Sequence, residues 1–287
     1  MDTHYLAWNG LSFTRPAGWE LAALGRQRLQ LSKNGKPMLD VRWNRIRGRF
    51  SFDAHLRKLE KAHDKKHGGF SVTDDRKRWD LGPDMTARSF VWGDSGKGGR
   101  GALLRHSASS TAILVQSSGP AEQAGAVLSS LRCHWADPLV PWAVYDLRAQ
   151  TPGCFHLEEY ALQPGRYRLA LRSSRQRLVL HRLAPADILL TGRSLVMWSR
   201  EHFQAAIRRC HLMVEETDDV DAVTWRRPLP PGRLASATAL LFNRPVHAYI
   251  RIWRPAGHNR LLCVETQGTT PLDEDMIQQV VSSYATV

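Results

Sequence analysis

Two stretches of the chain end in similar sequences. VLSSLRCHW closes residues 127–135, and VVSSYATV occupies residues 280–287. Self-similarity at a long spacing is the mark of repeated structural units, because each unit must bury the same pattern of apolar residues. The similarity therefore predicts that the chain is a diverged tandem duplication.

Further matches extend this similarity through both halves. LSFTRPAGWEL near the start corresponds to RAQTPGCFHL in the second half, and both contain a Pro/Gly corner followed by a large aromatic residue. STAILVQSSGP (110–120) corresponds to NRLLCVETQGTTP (259–271), and each is followed by a predicted helix. The matches divide the chain into a first repeat at 1–135, a linker at 136–141 and a second repeat at 142–287.

Both halves have the same predicted order of elements: strands, a helix, more strands and a closing helix. Ser51 is the predicted N-cap of the first central helix, Ser199 that of the second, and Thr270 that of the last closing helix. Strands interrupted by few helices favour an antiparallel sheet with helices packed on it. The predicted fold class is α+β, with two diverged copies of an antiparallel-sheet α/β sandwich.

A corner of the type F-x-x-P-x-G-W and a closing VLSSL sequence mark the first half. With these residues the half resembles the Mog1/PsbP/DcrB-like superfamily, and the second half repeats the pattern more faintly. The resemblance implies a Mog1/PsbP-like sandwich and a mostly non-enzymatic role, as in assembly factors, binders of small GTPases and chaperones for secreted toxins. It implies no functional residues, because the matched positions are core and corner positions. They are Phe13, Pro16, Gly18, Trp19 and 127–131, with Pro152, Phe155 and 282–284 as the fainter repeat.

Positive charge is concentrated in the first half. Residues 1–135 hold 22 Lys and Arg against 12 Asp and Glu, a net of +10, whereas residues 136–287 hold 18 against 15, a net of +3. A positive field of this kind attracts anionic partners. A surplus of charge that only maintains solubility is the alternative.

No motif in the sequence identifies a reaction. WGDSGKGGRG (92–101) contains Gly-Asp-Ser-Gly, but Lys97 stands where a chymotrypsin-like protease has glycine, and the spacing is not that of a phosphate-binding loop. The acidic stretch VEETDDVDA (214–222) lacks the glycine and terminal glutamate of a calcium loop. The twelve histidines and four cysteines do not have the spacing of zinc ligands. We therefore predict no catalytic residue, no cofactor and no metal, and the chain is not expected to be an enzyme.

Arginines alternate with aromatic and apolar residues on several predicted strands. Such a surface can follow a phosphate backbone and stack bases. Solvated strand faces that protect sheet edges and contact with a protein partner are the other interpretations. The candidate binding surface consists of Arg42, Arg45, Arg47, Arg49, Arg57, Arg166, Arg168, Arg172, Tyr249, Arg251 and Trp253.

The predicted function is that of a non-catalytic protein-interaction, assembly or chaperone-like factor. The alternative is a protein that binds nucleic acid or another polyanion through the basic first half. The N-terminal sequence lacks the features of a signal peptide, and no apolar run approaches the ~18 residues that span a bilayer. A cytoplasmic location without membrane insertion is therefore expected, and the partner is expected to be another protein.

Overall fold

The chain forms two compact units in the computed structural model of the protein. The first unit comprises Met1–Asp137 with Ala143–Tyr145, and the second comprises Pro138–Trp142 with Asp146–Val287. No helix in the part of the chain that the structure describes is long and apolar enough to cross a membrane. The described residues are 5–64, 69–73, 81–93, 98–215, 221–227, 232, 238, 241–242 and 244–286.

The first unit consists mainly of strands. Its described elements are β1 Tyr5–Trp8, β2 Leu11–Thr14, β3 Glu20–Gly25, β4 Arg28–Lys33, β5 Lys36–Arg45, α1 Phe52–Asp64, β6 Phe70–Thr73, β7 Met85–Trp92, β8 Gly99–His106, β9 Thr111–Ser117, α2 Ala121–Ser130 and β10 Arg132–Cys133.

The next strand, β11 (Leu139–Val144), contains residues of both units. The remaining described elements belong to the second unit. They are β12 Leu147–Pro152, β13 His156–Gln163, β14 Arg166–Arg172, β15 Gln176–Leu183, α3 Ala186–Leu189, α4 Leu195–His202, α5 Gln204–Cys210, β16 Met213–Glu215, β17 Ala222–Arg226, β18 His247–Trp253, β19 Leu261–Gly268, α6 Glu274–Ser283 and β20 Ala285–Thr286.

Each unit contains a seven-stranded sheet, and the two sheets have the same strand order. The order is β3-β4-β5-β9-β8-β7-β6 in the first unit and β13-β14-β15-β19-β18-β17-β16 in the second. Neighbouring strands are antiparallel in both sheets. In each sheet the first three strands in chain order form a meander. The strand that comes last in chain order then pairs with the third. The first unit also contains short strands in the order β10-β2-β1, and β12 pairs with β20 in the second.

The first unit buries apolar side chains on both faces of its sheet. Leu39, Val41 and Trp43 alternate along β5 and are buried on one face, because successive side chains of a strand point to opposite sides. The indole Nε1 of Trp43 donates to the carbonyl of Asn9. On the other face, α1 buries Leu56 against a cluster that contains Phe90, Trp92 and Leu103.

The second unit has helices on both faces of its sheet. Trp198 of α4 and Ala206 of α5 are buried on one face with Ile250 and Ile252 of β18. On the opposite face α6 packs on β19 and buries Ile277 and Val280.

The predicted fold class, an α+β sandwich, is wrong. Strands account for 48% of the chain and helices for 22%, so the fold is mostly antiparallel β. The prediction gave two helices and several strands similar weight in each half. The helices are short, however, and strands such as His156–Gln163 make the sheets large. Backbone pairing across long antiparallel meanders, rather than the packing of a helical layer, dominates the architecture.

Candidate interaction groove

The open face of the second unit's sheet is defined by alternation along β18. Ala248, Ile250 and Ile252 point into the core beneath α4 and α5. Tyr249 and Arg251 therefore point to the opposite face, on which α6 lies. This face is covered by α6 near β19 and is accessible over β17 and β16.

Strand register aligns the side chains of this face in cross-strand rows. Residues directly opposite each other in an antiparallel pair have neighbouring side chains on the same face. One row runs through Glu215, Thr224, Arg251 and Val264, and the other through Met213, Arg226, Tyr249 and Thr266. The rows place Arg251 and Tyr249 toward the covered side of the face, and Glu215 and Met213 at the edge strand.

A groove of about 370 Å³ lies between these rows and the beginning of α6. We call it the α6 groove. Tyr249 and Ile277 are among its lining residues and are buried, with 7% and 2% of their surface exposed. The N-terminus of α6 is capped within the chain, because the Asp273 carboxylate accepts a hydrogen bond from the backbone N–H of Met276 at 3.1 Å. The helix terminus therefore needs no ligand to satisfy that N–H.

In the exposed, outer part of the α6 groove, two glutamates compensate the charge of Arg226. The Nη2 of Arg226 donates to the Glu274 carboxylate, and its Nη1 lies 3.8 Å from the Glu215 carboxylate. The side chains of all three residues are at least 41% exposed, so water screens these pairs and they contribute little stability.

Two further arginines line the groove. Arg227 donates to the backbone carbonyl of Val246 at 2.9 Å. Arg251 has a buried Nε without a hydrogen-bond partner in the described part of the chain. Neither guanidinium forms an ion pair with a described carboxylate. The groove lining therefore carries positive charge that the described residues leave unpaired.

His247 also lines the groove, near Arg227. Burial lowers the pKa of His247 below its ordinary value of 6.5, and the charge of Arg227 lowers it further. The imidazole is therefore neutral at pH 7. The positive charge of the groove comes from its arginines.

The arginines predicted as a binding surface in the first unit have different environments. Arg42 shares the carboxylate of Asp40 with Arg28, at distances of 2.9 and 2.6 Å. These hydrogen bonds outweigh the effect of burial and leave the pKa of Asp40 below its ordinary value. Arg45 lies over the Trp135 ring, 6.0 Å from its centroid. The other three, Arg47, Arg49 and Arg57, are exposed and form no ion pair within the described residues.

The predicted residues of the second unit are divided between the two faces of the sheet. Arg168 of β14 is opposite His181, which is opposite Cys263, so all three share the face of the helical core. Tyr249 and Arg251 lie on the other face. The prediction placed these residues on one candidate surface, but they cannot contact a ligand together.

The predicted arginines on β14 are largely neutralised. Arg168 lies 2.7 Å from Glu159, and Arg172 lies 3.0 Å from Glu158. Arg166 is exposed at the beginning of the strand. Trp253, two residues beyond Arg251, packs edge-to-face on Tyr284 at 5.8 Å between ring centroids. Of the eleven candidates, only Tyr249 and Arg251 line the α6 groove.

Several groove residues carried no functional prediction. Thr224 and Arg226 lie on a strand that alternates in the sequence VTWRR, which indicates that they share a face. Their position beside Arg251 depends on the register between β17 and β18, which no local pattern reveals. Glu274 likewise reaches the groove only through tertiary structure.

Sites with possible reactive groups are few in the described residues. Cys133, Cys210 and Cys263 are buried, and Cys154 is exposed. No group of three or more His, Cys, Asp or Glu residues in the described ranges is arranged to hold a metal ion. The segment WGDSGKGGRG (92–101) connects β7 to β8, and its residues 94–97 lie outside the described part. Residues 216–220 of the acidic stretch also lie outside it.

Comparisons with known proteins give only distant likenesses. No family model matches the chain, and no curated protein matches it. A crystal structure from Bacteroides thetaiotaomicron is 14% identical with a TM-score of 0.30, over 53% of this chain and 54% of that one. The T6SS immunity protein TplEi from Pseudomonas aeruginosa, complexed with "L" peptide, is 8% identical with a TM-score of 0.29 over 99% of both chains.

The chain thus spans about half the length of the first of these structures. TM-scores of this size carry no argument about fold or function. The resemblance to the Mog1/PsbP/DcrB-like superfamily stays a prediction.

Proposed function

We propose that the protein is a non-catalytic interaction factor that binds a partner protein through the α6 groove. The observation that carries this proposal is the combination of buried apolar groups and uncompensated arginines at one open site. Tyr249 and Ile277, which are almost fully buried, form the apolar base of the site, and Arg251 supplies a charge without a described ion-pair partner. Aromatic residues and arginine are the residue types most often found at the energetic centres of protein interfaces.

The size of the groove favours a short segment of the partner. Its volume of about 370 Å³ lies at the lower end of the roughly 300–1,000 Å³ of ligand pockets. The exposed Met213 lies at the edge of the same face, with 61% of its surface accessible. Methionine adapts its shape to apolar partners, so it extends the binding surface beyond the groove.

Affinity capture with groove variants tests the proposal. Tagged wild-type protein, Tyr249→Ala, Arg251→Gln and Arg166→Gln are incubated with nuclease-treated lysate from the native cells. Arg166 is the matched control, because it is an exposed arginine on the opposite face of the same sheet. We expect one protein to bind the wild type and Arg166→Gln but not the two groove variants, and purified partner to show the same order of affinity. Equal capture by all four proteins would contradict the proposal.

A second candidate function is binding of a polyanion by the first unit. Arg47, Arg49 and Arg57 are exposed without described ion pairs, and a neighbouring groove of about 460 Å³ contains His55 and Lys58. Phosphate binding by such residues releases counterions, so the affinity falls steeply with salt. Titration of a single-stranded oligonucleotide at several salt concentrations tests this function. A steep loss of affinity that is reduced in Arg47→Gln/Arg49→Gln supports it, and absence of binding at low salt overturns it.

A further inference from the structure

We propose that the α6 groove recognises an acidic side chain, Asp or Glu, that is flanked by an apolar residue in the partner's segment. This inference rests on the proposed function and adds the chemistry of the occupant. It is carried by the position and charge of Arg251, and by the cross-strand row that contains Met213, Arg226 and Tyr249.

Arg251 is the residue that selects a carboxylate. Its direct neighbours in the row, Thr224 and Val264, have no charge, and Glu215 beyond Thr224 lies 3.8 Å from the guanidinium of Arg226. Its Nε is buried without a described hydrogen-bond partner. A buried donor that lacks a partner is costly, and a ligand carboxylate removes that cost by accepting hydrogen bonds from the guanidinium fork.

The charges of the groove lining exclude a basic occupant. Three arginines and two glutamates line it, and both glutamates lie near Arg226. The lining therefore has a net positive charge, and the lowered pKa of His247 leaves that ring neutral. A lysine or arginine placed beside Arg251 would meet like charge in a partly buried site.

The apolar flank of the occupant has its own contact surface. Tyr249 lies one row away from Arg251 on the same face, and Met213 lies in the row of Tyr249 at the edge strand. Neighbouring rows on one face of an antiparallel sheet are ~7 Å apart, a distance that the side chains of two adjacent residues of the occupant can span. The occupant is therefore an acidic–apolar pair rather than a lone anion.

Selection from a display library of short random peptides tests this specificity without knowledge of the partner. The library is selected in parallel against wild-type protein, Arg251→Gln and the control Arg166→Gln, and enriched peptides are then measured by fluorescence anisotropy. We expect enriched peptides to carry Asp or Glu beside an apolar residue. Arg251→Gln should weaken their binding about tenfold, because charged hydrogen bonds contribute on that scale. A Glu→Gln exchange in the peptide should have a similar effect, and Arg166→Gln none.

The outcomes separate this inference from the proposed function. Enriched peptides without a shared acidic residue, or peptides that bind Arg251→Gln equally well, would overturn the acidic specificity. The partner protein could still bind the groove in that case, and the capture experiment would show it. Enrichment of no peptide would also overturn the inference. Acetate and inorganic phosphate are titrated as further probes, and if either binds as tightly as the best peptide, the site recognises a small anion and the inference is wrong.

Discussion

Asp146 and Arg182 form a buried ion pair in the second unit. The Oδ2 of Asp146 lies 2.5 Å from Nη2 of Arg182, and the two side chains are only 16% and 9% exposed. Arg260 approaches the same carboxylate oxygen at 2.8 Å. The Arg182 guanidinium also stacks over the Tyr167 ring, 4.7 Å from its centroid. One carboxylate therefore compensates two arginines in a region with little access to water.

Removing that carboxylate charge should destabilise the protein. Asp146→Asn keeps the size of the side chain but leaves Arg182 buried without its counter-charge, and loss of one partner of a buried pair costs about 3 kcal/mol. Asp187→Asn is the control, because Asp187 pairs with Arg254 at 2.7 Å but is 62% exposed. Urea unfolding should show a loss below about 1 kcal/mol for the control. Equal losses for the two variants would contradict the prediction.

A second prediction concerns the close approach of Gly10 to Trp135. Gly10 has φ +81°, and a Cβ added there would lie 2.4 Å from Cε2 of the indole. Gly10→Ala thus combines a left-handed backbone with a steric clash. Gly35→Ala isolates the first effect, because Gly35 has φ +74° and no atom within 4 Å of an added Cβ.

The two variants should differ in stability by the cost of the clash. A left-handed backbone costs a non-glycine residue about 1–2 kcal/mol, and overpacking adds about 1–3 kcal/mol. We expect Gly10→Ala to lose roughly 2 kcal/mol more than Gly35→Ala in the free energy of unfolding. Similar losses would show that the indole moves aside without cost.

The third prediction is a pH dependence that originates at Glu265. Burial raises the pKa of Glu265, but the hydrogen bond and charge of His181, 3.2 Å away, outweigh it with help from Gln267 and Arg177. The net effect is a pKa below the ordinary value of 4.5. A lowered folded-state pKa stabilises the fold above the unfolded-state pKa, and that contribution is lost as the pH falls through the folded-state pKa.

Glu265→Gln should remove this contribution. The difference in unfolding free energy between wild type and variant is expected to be largest near neutral pH and to shrink below pH 4.5, the unfolded-state reference. Chemical denaturation at a series of pH values measures it. Glu60→Gln, at an exposed position of α1, reports the effect of removing an exposed carboxylate. A difference that does not change with pH would contradict the assigned role of Glu265.

Local sequence patterns located many elements, but not their ends or their neighbours. The alternation in RYRLALRSSRQRLVLHRL predicts a hairpin that turns at Ser173–Ser174, and these residues do lie between β14 and β15. The last helix begins after Asp273, whose side chain caps Met276, and not at Thr270 as predicted. Both residues are good caps, so tertiary packing decides between them. The α6 groove was not predicted, because it depends on the register between β17 and β18 and on the packing of α6.

Ser199 is not the helix cap that the sequence predicts, and its hydroxyl makes a tertiary hydrogen bond instead. The sequence predicted it as an N-cap, but the cap of α4 is Ser194, whose Oγ accepts from the backbone N–H of Met197. Ser199 lies inside the helix and is fully buried. Its Oγ accepts a hydrogen bond from Nε1 of Trp225 at 3.0 Å and donates to the carbonyl of Val196 at 3.0 Å.

The last prediction follows from that contact. Ser199→Ala improves helix propensity but leaves the buried indole N–H of Trp225 without its acceptor, which costs about 1–3 kcal/mol. Ser282→Ala is the matched control, because Ser282 donates to Gln279 within α6 in the same way but is exposed. Urea unfolding should show a clear loss for Ser199→Ala and a change within about 0.5 kcal/mol for the control.

A double-mutant cycle identifies the cause of that loss. Trp225→Phe removes the indole N–H, so Ser199→Ala in this background no longer leaves a donor without a partner. The cost of Ser199→Ala should then fall toward zero, because removing both partners of a hydrogen bond is nearly neutral. If the cost is unchanged in the Trp225→Phe background, the loss comes from packing at Ser199 and not from its hydrogen bond with Trp225.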